Sequence, residues 1–276
     1  TDEKFRMEYG AEFSGTEGEN FFPPENVEIC FGGVKDKEHY HKLSDLGQPG
    51  IVYFAHLDPA ISSHNYALCV VHKHVFLNKS NASGAFVDFH LVVDHIKLWT
   101  PSKGKPINID EVDDYMLWLN TRYHLGLVTY DQWNSQSSIN KLRKCGIPAQ
   151  ETRFSKPYKI QIYDELHKLV THEKLKIPHH KILKDEMLNL QRKFMPSGYR
   201  IYPKTEGEVR TDDCVDALAG ACFNALKVEA TRLPQSKLVN MGLTPSSGNN
   251  AVWRSMQGTT YGKKDWQTID RFRGGR

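Results

Sequence analysis

The chain has 276 residues, 39% of them hydrophobic, and a formal net charge of +3. That supports one buried core of roughly 200 residues with extensions. No apolar run approaches the ~20 residues that span a bilayer, and the N-terminus lacks a signal-peptide pattern, so the sequence reads as soluble and intracellular. It starts at Thr1 rather than Met, as expected of a fragment or a processed piece.

Cys30, Cys69, Cys145, Cys214 and Cys222 are odd in number and form no CxxC. Four of them lie in apolar runs, so they read as reduced packing residues. The 13 histidines include HKHV at 72–75 and PHHK at 178–181, which lack partners at zinc spacing and read as surface or strand-face residues. Charge is uneven: residues 1–50 carry about −6, the last 41 about +5. In that tail Trp253, Tyr261, Trp266 and Phe272 are interleaved with cations. With too little apolar surface to fold alone, it reads as a flexible arm, either solubilising or tracking phosphates.

Residues 1–30 read as a helix fragment followed by an extended, Gly/Pro-punctuated segment. From Ile51 the pattern changes. IVYFAHLD, NYALCVVHKHVF and GAFVDFHLVVDHIKLW read as three strands joined by short turns, hence antiparallel. Val112, Tyr115, Met116 and Leu119 lie at helical spacing, and the strand LGLVTYD follows. A helical crossover into a further strand implies parallel addition to the same sheet. SQSSINKLRKCG reads as a helix and IPAQETRF as a fifth strand. PYKIQIYDELHKLVTHE, KILKDEMLNLQRKF and DCVDALAGACFNALKVEA read as three more helices. The expected domains are a linker over 1–49, a catalytic domain over 50–235 and the basic arm over 236–276.

Three acidic stations stand out in this order. Asp58 ends the first strand, Asp131 ends the fourth, and Asp212-Asp213 opens the last helix. Each alone reads equally as a turn former or helix cap. Together they occupy the places where a ribonuclease-H-like fold carries its metal-binding acids, so the expected architecture is α/β, a mixed sheet of five or more strands flanked by helices. Converging carboxylates suit hard divalent cations, and two such ions about 4 Å apart support phosphodiester hydrolysis. Adjacent helical residues diverge by about 100°; one of the Asp212-Asp213 pair is therefore expected to cap or orient, and Asp216 reads as a polar buttress. Asp88 and Asp94 share a strand face by even spacing. Gln132, Asn134 and Ser135 read as donors beside Asp131 or as helix caps. Lys141, Arg143, Lys144, Lys156 and Lys159 are candidate phosphate contacts, or simply a solvated helix face.

GLVTYDQWNSQSSINKLRKCG resembles the second acidic motif of the nuclease domain of large terminase subunits from tailed bacteriophages. TDDCVDALAGA resembles their closing Asp-Asp-x-x-Asp-Ala motif, and FRMEYGAEF the joint after their packaging ATPase. The resemblance implies Asp58, Asp131 and Asp213 as catalytic metal ligands with Asp212 as an adjunct, and two Mg²⁺ or Mn²⁺ ions. It also implies cutting of concatemeric double-stranded DNA in the cytoplasm of an infected host. Implied partners are the terminase ATPase domain, the small terminase subunit and the capsid portal. No phosphate-loop motif occurs, so the nuclease half without its ATPase is expected. A junction resolvase or recombinase on the same fold, or a non-catalytic DNA-binding adaptor, remains the alternative.

Overall fold

The computed structural model describes residues 19–32, 46–80, 84–131, 135–153, 155–195, 198–204 and 211–227. The chain divides into two units, 1–231 and 232–276; the second, with the basic arm, lies outside the described residues, as do the FRMEYGAEF joint, Gln132 and Asn134.

In chain order the described elements are β1 (Glu19–Asn20), α1 (Pro24–Cys30), β2 (Tyr53–Asp58), β3 (Tyr66–Ser80), β4 (Gly84–Trp99), α2 (Ile109–Asn120), β5 (Leu125–Asp131), α3 (Gln136–Lys144), β6 (Ala149–Thr152), α4 (Lys156–Thr171), β7 (Leu175–Lys176), α5 (Lys181–Asn189), β8 (Leu190–Met195), β9 (Gly198–Pro203) and α6 (Asp213–Lys227). The main sheet has six strands in the order β6-β5-β2-β3-β4-β7. β2, β3 and β4 form an antiparallel meander, β5 adds parallel to β2, and β6 adds parallel to β5. This is the expected mixed sheet, with a further short strand, β7, parallel to β4.

β2 shows why the sheet is covered on both faces. All of Tyr53 to Leu57 are buried, as in a strand sandwiched between helix layers. Tyr53, Ala55 and Leu57 join one core with Val112, Met116 and Leu119 of α2 and Ile139 and Leu142 of α3. Phe54 joins the other with Ile162 and Leu166 of α4, Met187 of α5 and the length of α6. Period-two alternation therefore sends the even-numbered residues of β2 towards α6. α6 itself is buried from Asp213 through Ala225. It lies close because its side chains are small: a Cβ on Gly220 would stand 2.3 Å from the His56 ring. Cys30, Cys69, Cys214 and Cys222 are buried free thiols, and Cys145 is exposed.

Two expectations fail. KILKDEMLNLQRKF is not one helix: α5 stops at Asn189, and Leu190–Met195 pairs antiparallel with Gly198–Pro203. Buried Leu190 and Ile201 anchor this hairpin, and β1 extends it to a three-stranded second sheet. Long-range pairing has overridden local helix spacing. Within the segment read as extended, Pro24 opens the two-turn α1, where Val27 and Cys30 are buried three residues apart. Asp88 and Asp94 do lie on one face, opposite the row Phe89, Leu91 and Val93, as their even spacing predicts; the register shifts only past Asp94, where Val70 faces His95 and Val71 faces Val93. Asp88 meets Lys174 and Asp94 meets His72. No helix among the described residues is long and apolar enough to cross a membrane.

Candidate active site

The parallel pairing of β2 and β5 runs His56 to Thr129 and Leu57 to Tyr130. One step further, Asp58 and Asp131 stand side by side at the carboxyl ends of two central strands, on chains about 4.8 Å apart. Both face α6. Two residues before them, His56 Nδ1 and Thr129 Oγ1 share a 2.7 Å hydrogen bond, and Asn224 Nδ2 of α6 donates to the same Thr129 oxygen at 2.6 Å. Burial pushes His56 down to about 3, so this ring is neutral and acts as a packing and hydrogen-bonding strut.

The third station closes over this end of the sheet. Asp213, the first residue of α6, is 5% exposed. Its Oδ2 accepts from the backbone N–H of Asn65 (3.0 Å) and from Asn65 Nδ2 (3.2 Å), at the start of β3. His64 Nδ1 lies 3.8 Å from its other oxygen. β3 pairs Ala67 with Asp58, so the loop that ends β2 returns to hold Asp213 beside it.

The carboxylates act on one another. Asp58 is pushed well above the carboxylate range, first by burial and then by Asp216, Asp213, Asp131 and Asp212. Asp213 is also raised, by burial, against the opposing Asn65 bond and His64. Asp216 is raised to about 6, again by burial first, with Lys159 and Tyr163 opposing. An all-oxygen set whose members repel one another suits a hard divalent cation, which relieves both burial and repulsion. Among the described residues, no group of three or more His, Cys, Asp or Glu side chains already stands in metal-holding geometry. The donor chemistry fits; the side chains must still draw in around an ion.

The other residues singled out in the sequence are dispersed. Asp212 and Asp216 both meet Lys159, at 3.0 and 2.8 Å, and Tyr163 Oη donates to Asp216 at 2.6 Å. Lys141 lies 3.2 to 3.9 Å from Asp110, Asp113 and Asp114 of α2. Arg143 donates to the Ala149 carbonyl. These two and Lys144 occupy the last turn of α3, which runs away from the strand ends. Lys156 is exposed at the start of α4, just past Thr152, the register partner of Asp131. Ser135 is buried at the head of α3 without a side-chain cap bond.

The sequence reading missed Glu186. This α5 residue is fully buried, accepting from Thr211 Oγ1 through Oε1 and from the Cys214 and Val215 amides through Oε2. It thereby satisfies first-turn donors of α6 that lack intrahelical partners. Nothing in KILKDEMLN marks this glutamate from its neighbours.

No family model matches the sequence, and no curated protein does. Solved structures do match. The large terminase nuclease of thermophilic phage G20c aligns at a TM-score of 0.53 and 16% identity, covering 74% of this chain and 97% of that one. The chain has the large-terminase nuclease fold. Its strand-end acids and α6 thus sit on that fold, which is also shared with the HK97 bacteriophage large terminase (TM-score 0.54, 13% identity, 76% of this chain and 44% of that one). The Thermus phage P74-26 large terminase nuclease domain shares it too (0.51, 16%, 72% and 92%). The G20c nuclease has also been solved with bound magnesium.

Proposed function

We propose that this chain is a divalent-metal-dependent DNA endonuclease that cuts concatemeric viral double-stranded DNA during genome packaging. The observation that carries the reading is the meeting of Asp58 and Asp131, on adjacent parallel strand ends, with Asp213 at the head of the helix covering the same face. The terminase-nuclease fold, and the magnesium held by the G20c nuclease, support it.

In this reading Asp58, Asp131 and Asp213 hold Mg²⁺ or Mn²⁺. When bound, two such ions activate a water for in-line attack and offset charge on the leaving oxygen. The chain contributes rigidity and placement. Asp58 and Asp131 extend from paired central strands, Asn65 fixes the direction of Asp213, and Glu186 holds the backbone on which Asp213 sits. Lys156 is placed to meet the DNA backbone at the same end of the sheet. Double-stranded DNA, a terminase ATPase domain, the small terminase subunit and the capsid portal are the partners, and the host cytoplasm is the setting.

Plasmid digestion tests the proposal. The chain should nick and linearise supercoiled DNA with Mn²⁺ or Mg²⁺ and be inert in EDTA; undiminished cutting after exhaustive chelation sinks it.

A further inference from the structure

Five aspartates crowd the head of α6 and the neighbouring strand ends, and they divide into two sets by what they face. Lys159, one turn into α4, has a side chain 28% exposed, and its Nζ lies 3.0 Å from Asp212 Oδ2 and 2.8 Å from Asp216 Oδ2. Tyr163, one turn further along α4, donates to the other oxygen of Asp216. Both oxygens of Asp216 are therefore engaged by donors from one helix. Asp213 turns away from Lys159, to Asn65 and His64 beside β3.

We infer that Lys159 is a built-in cation that withdraws Asp212 and Asp216 from ion binding, so that it selects Asp213 from the adjacent pair and confines the ligand set to Asp58, Asp131 and Asp213. The inference rests on the metal-site reading above and adds to it a residue that sets the specificity of the centre. The physical reason is a double cost. A carboxylate that left Lys159 for a metal would break a short charge-assisted bond. It would also leave a largely enclosed ammonium beside a divalent cation, where their repulsion is weakly screened. Lys159 is thus assigned to this centre rather than to DNA phosphates.

Mn²⁺ titration of the full chain, by calorimetry and by the EPR signal of free Mn²⁺, tests this without DNA. Asp58→Asn should weaken Mn²⁺ binding at least about tenfold, whereas Asp212→Asn should change it less than about threefold. Lys159→Arg should behave as the parent. Lys159→Met should bind Mn²⁺ about tenfold more tightly or take an additional ion, and adding Asp212→Asn or Asp216→Asn should cancel that gain. The inference is overturned if Asp212→Asn is as damaging as Asp58→Asn. It is equally overturned if Lys159→Met binds with unchanged affinity and stoichiometry, or if neither second substitution reverses its gain. Should Lys159→Met fail to fold, the contrast between Asp58→Asn and Asp212→Asn decides alone. Unaltered binding in Asp58→Asn overturns the metal-site reading itself, a result distinct from the others.

Discussion

Glu186 accepts the backbone N–H of Val215 at 3.1 Å through the same oxygen that accepts the Cys214 N–H at 2.8 Å, so a carboxylate from α5 closes the head of α6. Burial, with help from Asp213, raises Glu186 from its ordinary value of 4.5 to about 8, against the opposing bonds from Thr211 and Val215. The folded state therefore holds a proton that the unfolded chain releases above about pH 4.5. The contribution to stability is present in full below that pH and is lost as pH rises towards 8, by up to about 1.4 kcal/mol per pH unit. Thermal melts of the parent in EDTA should fall across pH 5 to 8, and Glu186→Gln should flatten that fall. Parallel curves for the two proteins would refute this.

Metal binding should show the opposite slope. Burial and neighbouring carboxylates raise Asp58, and burial raises Asp213. A ligand carboxyl must lose its proton to coordinate. Mn²⁺ affinity should therefore rise from pH 5.5 to 8, with protons released on binding. Calorimetry in buffers of different ionisation heat reads that release, and a pH-independent affinity without release would contradict it.

Asp58→Asn, Asp131→Asn and Asp213→Asn should each abolish plasmid cleavage while keeping the fold. Asp58→Asn should also melt no lower than the parent in EDTA, because it removes a half-buried acid crowded by four others. A cooperative melt with retained cleavage in Asp131→Asn would exclude that residue from the chemistry.

Gly220→Ala tests how closely α6 lies on the sheet. Its Cβ would stand 2.3 to 2.8 Å from three His56 ring atoms, so the helix or the ring must shift. A loss of about 1–3 kcal/mol is expected for such overpacking, read by denaturant unfolding. A neutral substitution would mean that His56 can rotate away despite its bond to Thr129.

Deleting residues 236–276 should leave the melt nearly unchanged and flatten the salt dependence of DNA affinity. Losing about five phosphate contacts reduces the slope of log affinity on log salt by roughly four to five units. An unchanged slope would assign the arm to protein docking.

The strands and their directions were legible because their signals are local. IVYFAHLD, LGLVTYD and the long meander carry continuous apolar runs bounded by turns, and α6 declares itself by a run of small apolar residues that only a buried helix tolerates. Those runs also located Asp58, Asp131 and Asp213 at the ends of their elements. Which charge faces which was decided only by tertiary structure. Lys159 reads as a surface cation of an amphipathic helix until α4 and α6 pack and bring it to Asp212 and Asp216. Glu186 reads as one more polar residue of α5 until Thr211, Cys214 and Val215 arrive some 25 or more positions later. The β8 strand likewise takes its form from a partner, β9, that outbids its helical spacing. Backbone preference and burial pattern are written within a few residues, whereas the partner of a buried charge depends on register and packing between elements far apart in the chain.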